Sequence, residues 1–380
     1  MNACGFDAEP LPTASLPVVL NEKRMQIEAM NPQHSDVLVI GAGLAGLAAA
    51  RDLQDAGLNL LMLEKSRGVG GRSATKRFEV NGVHLRADHG AQFFTARGER
   101  FQNLISRLEA NGVVKEWTRG FPKWTVRGLE ARAAGHGRYV APNGMSALGK
   151  AFQEGLDGSR LNIQQNALVS AVFPTHLGWS AVLENGEIHQ ARALIVNAPA
   201  PQALALTRSS LEPQTLAALE RVQFNPCWAL VVALETKPDL SWVGLEIDHD
   251  VLEWAALDSS KRNPGSPPIL VLHATPVWSQ AHLEQAPETV AALLLEAAQN
   301  LLGDWVKPVG MLAHRWRYAK PSITHPASTL EQGNLVFCGD WCVKTNSRIE
   351  AALESGWATA SHVLERLVAP SLQEKTHVVL

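Results

Sequence analysis

Apolar positions follow two rhythms along this chain, and the rhythm changes at glycines. Val37 to Ile40 is a continuous apolar run, the mark of a strand buried on both faces. It leads into Gly41-Ala42-Gly43-Leu44-Ala45-Gly46, a helix-like Leu47-Ala48-Ala49-Ala50, and a second apolar run from Leu58 to Leu63 that stops at Glu64. Phe78 to Phe94 reads as a hairpin about Asn81-Gly82 followed by a loop. Phe101, Leu104, Ile105 and Leu108 have helical spacing between Arg100 and Asn111, and a helix is predicted near Met145–Glu154. Val113 to Val140 reads as strands and loops, and Leu161 to Val196 as three alternating strands with a turn at Asn185-Gly186. Helical spacing returns from Pro201 to Leu219. Buried strands follow at Trp228–Leu234 and Ile269–Ala274, separated by the polar loop Asp258–Pro268, and then an apolar helix at Pro287–Leu302. The chain closes on a strand at Leu335–Cys338, Gly339-Asp340, and a helix at Ile349–Leu367; no internal repeat is present.

The first of these units has the order strand, glycine turn, helix, strand, acid, which is the βαβ unit that holds a dinucleotide. Gly41 permits the tight turn, Gly43 the approach of backbone to a pyrophosphate, and Gly46 close packing of helix on strand. Phosphates are then met by free N–H groups at the positive end of the helix. Glu64 is spaced to accept from ribose hydroxyls. Directly behind it comes a second basic, glycine-rich segment, Lys65-Ser66-Arg67-Gly68-Val69-Gly70-Gly71-Arg72, which a nicotinamide dehydrogenase does not need.

Composition narrows the class. At 380 residues, with 46% hydrophobic and 19% charged positions, the chain is an ordinary globular protein long enough for two domains. Its net charge is −3 and no Lys/Arg run exceeds two residues, which argues against nucleic acid or an anionic membrane as partner. Thirteen histidines show no metal-ligand spacing, so no metal is expected. Cys4, Cys227, Cys338 and Cys342 are read as reduced thiols, which places the protein in the cytoplasm. Residues 1–34, with Pro10, Pro12, Pro17 and Pro32 and no apolar period, are expected to be a disordered arm. They lack the basic start and apolar core of a secretory signal, and no stretch reaches the length of a membrane span.

Together these segments resemble the FAD-dependent amine-oxidase superfamily, and within it the renalase-like branch, from Asp36 to about Leu367. The likeness rests on the glycine motif, on Gly70-Gly71-Arg72 and on Asp88-His89-Gly90-Ala91-Gln92. It continues through Val140 to Ser146, Asp258-Ser259-Ser260-Lys261-Arg262, Ile269 to Thr275 around His273, and Arg315-Trp316-Arg317-Tyr318. It ends in Cys338-Gly339-Asp340-Trp341 and Ser347 to Ala352.

The resemblance implies an α/β fold in which a Rossmann-like FAD-binding domain of the glutathione-reductase/amine-oxidase type is interleaved with an α+β substrate domain on a mixed or antiparallel sheet. The expected segments are 35–95, 142–200 and 325–370 for FAD, and 96–141 and 201–324 for substrate. FAD would be held by Gly41, Gly43, Gly46, Glu64, Lys65, Gly70, Gly71, Arg72, Ala91, Gln92, Phe93, Val169, Gly339, Asp340, Ile349 and Ala351. Asp340 would lie beside the ribityl chain, and the last helix would aim its N-terminus at the pyrimidine. Between His314 and Asn334 there is no cysteine where related monoamine oxidases attach flavin, so FAD is expected to be non-covalent. The implied reaction is oxidation of 2- or 6-dihydro-NAD(P) by hydride transfer to flavin N5, with O2 as acceptor and H2O2 as product. His273, Trp316 and Tyr318 are the candidate catalytic wall and carboxamide contacts, with Asn225 and Trp228 as further candidates. An amine oxidase, a desaturase, or a non-catalytic, redox-sensing flavoprotein are the alternatives.

Overall fold

The computed structural model describes residues 33–156, 158–343 and 348–368; the expected arm lies outside these as far as Pro32, as does Ser347 of the C-terminal motif. Among the described residues, eight strands share one sheet and seven a second.

The first sheet explains the continuous apolar runs. Gln33–Ile40 is central and pairs in parallel with Leu60–Glu64 on one side and Ile188–Val196 on the other. Val37 and Val39 face the helices Leu44–Asp55 and Ile349–Leu367, while Leu38 and Ile40 face helices from Ala200 to Arg221. With both faces covered there, every position from Val37 to Ile40 is apolar. The helices Leu44–Asp55 and Ile349–Leu367 cross so closely that a Cβ at Gly356 would lie 2.2 Å from the Ala45 carbonyl oxygen.

Two sequence expectations are corrected here. The three strands between Leu161 and Val196 are four, because left-handed Asn166 (φ 55°) ends Leu161–Gln165 before Val169–Thr175 begins. The helix expected from Pro201 to Leu219 is two, Ala200–Thr207 and Pro213–Arg221. The second begins at a proline, whose fixed φ suits a first helical position.

The second sheet runs Pro308–Ile323, Gln223–Leu234, Ile269–Ala274, Leu252–Leu257, Gly244–Ile247, Lys123–Thr125, Gly128–Glu130. One face, with Trp228, Leu230, Leu270 and Leu272, is covered by the helix Pro287–Leu302. On the other, Val231, Ala233, Ile269 and Val271 meet Leu85 and Ala87 of the hairpin Thr75–Val80/Val83–Asp88. That hairpin turns at Asn81 (φ 51°) and Gly82 (φ 77°), the backbone a two-residue turn demands.

The first sheet draws its strands from 33–64, 161–196 and 330–337 and the second from 123–130 and 223–323, and packing interleaves the segments between them. The helix Glu99–Ala110 joins the core of the first sheet, the helices between Ala200 and Arg221 cover its other face, and the hairpin lies on the second sheet. No helix among the described residues is long and apolar enough to cross a membrane.

Candidate functional site

The glycine turn is held from behind by Asn197, which no local sequence pattern singles out. Asn197 Nδ2 donates to the Gly41 carbonyl over 3.1 Å. A Cβ at Gly46 would lie 2.6 Å from both that carbonyl oxygen and Asn197 Nδ2, and one at Gly41 would lie 2.4 Å from the Asn197 carbonyl oxygen. Gly41 also has φ +96°, so both space and backbone require glycine there. No side chain among the described residues caps the helix Leu44–Asp55, so its first N–H groups remain available to an anion.

Glu64 closes this cradle. Its buried carboxylate accepts from Ala42 N–H (2.7 Å) and Ser66 N–H (2.8 Å). Gly70 N–H donates to the Ala42 carbonyl over 2.8 Å, and Gly43 and Gly70 form a bridge, so the two glycine-rich loops lie backbone to backbone. Gly71 (φ +58°) follows, and Lys65 is exposed at the rim. Ala167 N–H donates to the Glu64 carbonyl, which brings the strand beginning at buried Val169 alongside.

Arg72 joins the two ends of the chain. Its Nη2 meets Asp340 Oδ1 at 2.5 Å, its Nη1 donates to the Ala319 carbonyl at 3.1 Å, and its guanidinium lies 5.7 Å from the Phe224 ring centre. Gly339 N–H donates to Ser355 Oγ on the last helix, whose first turn carries half-buried Ile349 and buried Ala351.

Beside this cradle lies one face of the second sheet. Trp254, His273, Ala229 and His314 form a register row across four strands. Along the edge strand the even positions His314, Trp316 and Tyr318 alternate with Arg315 and Arg317, which pair with Glu284 (3.0 and 2.6 Å). Trp316 donates to the His89 carbonyl (2.9 Å) and stacks on the His89 ring at 5.2 Å. His314 is 4.5 Å from His89 and 4.6 Å from Trp316, and Tyr318 meets Phe224 edge-on at 5.9 Å. Ala91 N–H donates to the Arg72 carbonyl, and a Cβ at Gly90 would lie 2.1 Å from that oxygen and 3.3 Å from Trp316. Phe93 packs on Phe121 and Trp254. The structure therefore links Trp316 to His89 and His314 and His273 to His89 and Trp254, while Tyr318, farther along the edge strand, lies against Phe224.

Trp228 is corrected. It has no exposure, belongs to the core under the helix Pro287–Leu302, and bonds through its indole N–H to the His282 carbonyl. Alternation put it on the opposite face from Ala229, away from the row. Asn225 is half-buried and stands opposite Lys320 in the strand ladder.

Two further motif segments, which no local pattern links, also meet. Asp88 and Asp258 are buried with Lys261 and Arg262. Arg262 reaches Asp88 (2.7 Å) and Asp258 (2.6 Å), while Lys261 lies 3.0 Å from Asp258 and 3.8 Å from Asp88. Burial and then Asp258 push the Asp88 carboxyl above its usual range, against the two cations. Asp88 also accepts from Thr75 Oγ1 and Met145 N–H, which ties in the helix Ser146–Glu154. Burial lowers the three imidazoles, His273 and His314 to about 4 and His89 to about 3, so all are neutral near pH 7. Cys227, Cys338 and Cys342 are free thiols, with burial raising all three.

Comparison with known proteins agrees with this geometry. Residues 39–108 match the NAD(P)-binding Rossmann-like domain, and residues 118–364 match the family of flavin-containing amine oxidoreductases. Protein FLOWERING LOCUS D of Arabidopsis thaliana is 46% identical over 81 residues, 21% of this chain and 10% of that protein. An L-amino-acid oxidase of Notechis scutatus scutatus is 53% identical over 58 residues, 15% of this chain and 11% of that protein. The chain thus spans only about a tenth of these curated relatives. Among solved structures, putrescine oxidase bound to putrescine matches with TM-score 0.64 and 16% identity, over 88% of this chain and 100% of that one. Cyclohexylamine oxidase from Brevibacterium oxydans IH-35A matches with TM-score 0.68 and 12% identity, over 88% and 99%.

Proposed function

The chain belongs to the flavin-containing amine oxidoreductase family of FAD-dependent oxidoreductases, and from that premise we propose that it oxidises isomeric dihydronicotinamides, 2- or 6-dihydro-NAD(P). The cradle fits FAD. Gly41, Gly43, Gly46, Gly70, Gly71 and Arg72 would hold the pyrophosphate, Glu64 the adenosine ribose, and Lys65 and Val169 would flank that end. The backbone of Ala91, Gln92 and Phe93, with Gly339, Asp340, Ile349 and Ala351, would hold the flavin end. No cysteine stands between His314 and Asn334, which supports non-covalent attachment. The chemistry that FAD would supply there is hydride acceptance at N5, with O2 as the final oxidant and H2O2 as product.

One observation carries the choice of substrate: the sheet face beside the cradle carries the flat side chains of Trp254, His273, His314 and Trp316, and its imidazoles are neutral near pH 7. A dihydropyridine ring can lie flat on Trp316 and His273 and becomes a pyridinium by losing hydride alone, with no proton to remove. Tyr318 supplies a hydroxyl for the carboxamide. An alkylamine arrives as an ammonium and must first lose a proton at a desolvation cost. Oxidation of amines is the second reading, supported by the family and by the amine oxidases of the same fold.

Anaerobic stopped-flow mixing with 2- and 6-dihydro-NAD(P), against a panel of amines, separates the two. The dihydropyridines should bleach the flavin and the amines should not, and Tyr318→Phe should slow bleaching without altering the oxidised spectrum. The opposite pattern replaces this reading with amine oxidation. Bleaching by neither class leaves a redox-sensing flavoprotein.

A further inference from the structure

Lys261 is fully buried and its ammonium donates to Gln92 Oε1 over 2.9 Å. An ammonium accepts nothing, so the Gln92 atom facing it is the carbonyl oxygen. The orientation of an amide, ordinarily a choice between two, is fixed here by a charge. Its NH2 group is therefore turned the other way. There its two hydrogens are shared among three acceptors, the carbonyl of Asp88, that of Gly90 at 3.1 Å, and Nε2 of His273 at 3.4 Å. An NH2 group only donates, so Nε2 of His273 presents its lone pair and the ring proton belongs on Nδ1. The ring also bonds to the backbone of His89.

We propose that Lys261, acting through Gln92, holds His273 as a neutral imidazole protonated on Nδ1, making it an uncharged wall of the site rather than an acid or base. Lys261 and Gln92 are positioning residues in this account. The functional consequence rests on the reading of this face as the substrate wall. Nε2 is turned to the Gln92 amide and the ring also bonds to the His89 backbone, so a bound molecule meets chiefly an aromatic surface. That suits a ring that gives up only hydride, and it disfavours a substrate that must lose an N–H proton first.

The charged and titratable surroundings agree from each side. Lys261 and Arg262 come from the turn after Leu252–Leu257, balanced by Asp258 of that turn and Asp88 of the hairpin. His89 comes from the loop that bears Gln92, and His314 from the edge strand, with Lys76 of the hairpin acting on both. The residues flanking His273 in the sheet, Trp254 and Ala229, carry no charge. A second proton on His273 would set its N–H against the Gln92 NH2 and add a cation beside Lys261.

The test is 15N spectroscopy on FAD-loaded protein with 15N-labelled histidine, following two-bond 1H–15N correlations from pH 5.5 to 8.5. His273→Gln identifies the resonance. The wild-type ring should show protonated Nδ1 and bare Nε2 throughout, without titrating. In Gln92→Glu one carboxylate oxygen keeps Lys261 and the other turns an acceptor toward Nε2, so His273 should gain a second proton within that range. A wild-type ring protonated on Nε2 or on both nitrogens at pH 7 overturns the proposal, and so does a Gln92→Glu ring that stays neutral throughout. The wild-type spectrum decides even if the variant does not fold. No substrate enters these spectra, so the tautomer can stand while the dihydronicotinamide reading fails.

Discussion

Replacing Lys261 by Met should destabilise the fold in a pH-dependent way. The ammonium is fully buried, 3.0 Å from Asp258 and 3.8 Å from Asp88. With an effective dielectric of about 20 these contacts are worth about 5.5 and 4.4 kcal/mol before desolvation, which removes most of the gain. The variant keeps both carboxylates with Arg262 alone, so one buried negative charge is uncompensated. Breaking a buried pair in this way costs about 3–5 kcal/mol. Asp88 is already raised by burial and by Asp258, and Lys261 is the larger of the two cations that hold it down. Without Lys261 the folded-state pKa of Asp88 rises further. A carboxyl raised in the folded state gives stability below its unfolded value that is lost as pH rises through the folded one. The deficit of the variant should therefore be larger at pH 8 than at pH 5.5. Urea unfolding at both pH values, compared by midpoint at constant slope, measures this. Lys261→Met combined with Asp258→Asn restores neutrality and should recover part of the loss. A Lys261→Met deficit below about 1 kcal/mol, or one independent of pH, would refute the reasoning.

Other substitutions probe the cradle and the sheet face. Asn197→Ala removes the 3.1 Å bond to the glycine turn, worth about 0.5–1.5 kcal/mol, and should weaken FAD binding in a flavin-fluorescence titration. Glu64→Ala removes a charged acceptor of two backbone N–H groups, about 1.5–3 kcal/mol, and should lower FAD affinity while leaving the reduction rate of the saturated variant near normal. Gly356→Ala places a methyl 2.2 Å from the Ala45 oxygen and should cost about 1–3 kcal/mol, read as a lowered Tm. The lowered histidines give stability that is present above their unfolded value of 6.5 and is lost as pH falls toward about 4 for His273 and His314 and about 3 for His89. His314→Asn should flatten that acid limb in thermal melts from pH 6.5 to 4.

The parts of the fold that were legible in the sequence are those whose signal is local. Val37–Ile40, the glycines and Glu64 are contiguous, and Ile269–Ala274, Pro287–Leu302 and Ile349–Leu367 each carry their own apolar period, so their limits match. Alternation at Arg315–Tyr318 separated two faces correctly. Alternation cannot say which face meets the ligand, and Trp228 was misplaced for that reason. The Lys261 cluster was illegible because its partners, Asp88 and Asp258, are 170 residues apart. Asn197 was missed because its role depends on what packs against it, not on its neighbours in the chain. Three strands were read where there are four because a single left-handed Asn166 makes the break.

The glycine turn and Asn197 are 156 positions apart, and Arg72 and Asp340 are 268 apart. During synthesis at about 5–20 residues per second, Gly41 waits roughly 8–30 s for Asn197, and Arg72 roughly 13–54 s for Asp340. Over that interval the central strand Gln33–Ile40 has left the ribosome without the strand Ile188–Val196 or the last helix that covers one of its apolar faces. A ribosome stalled before Asp340 therefore carries an apolar strand with one face still uncovered, and an Arg72 that has yet to meet its carboxylate.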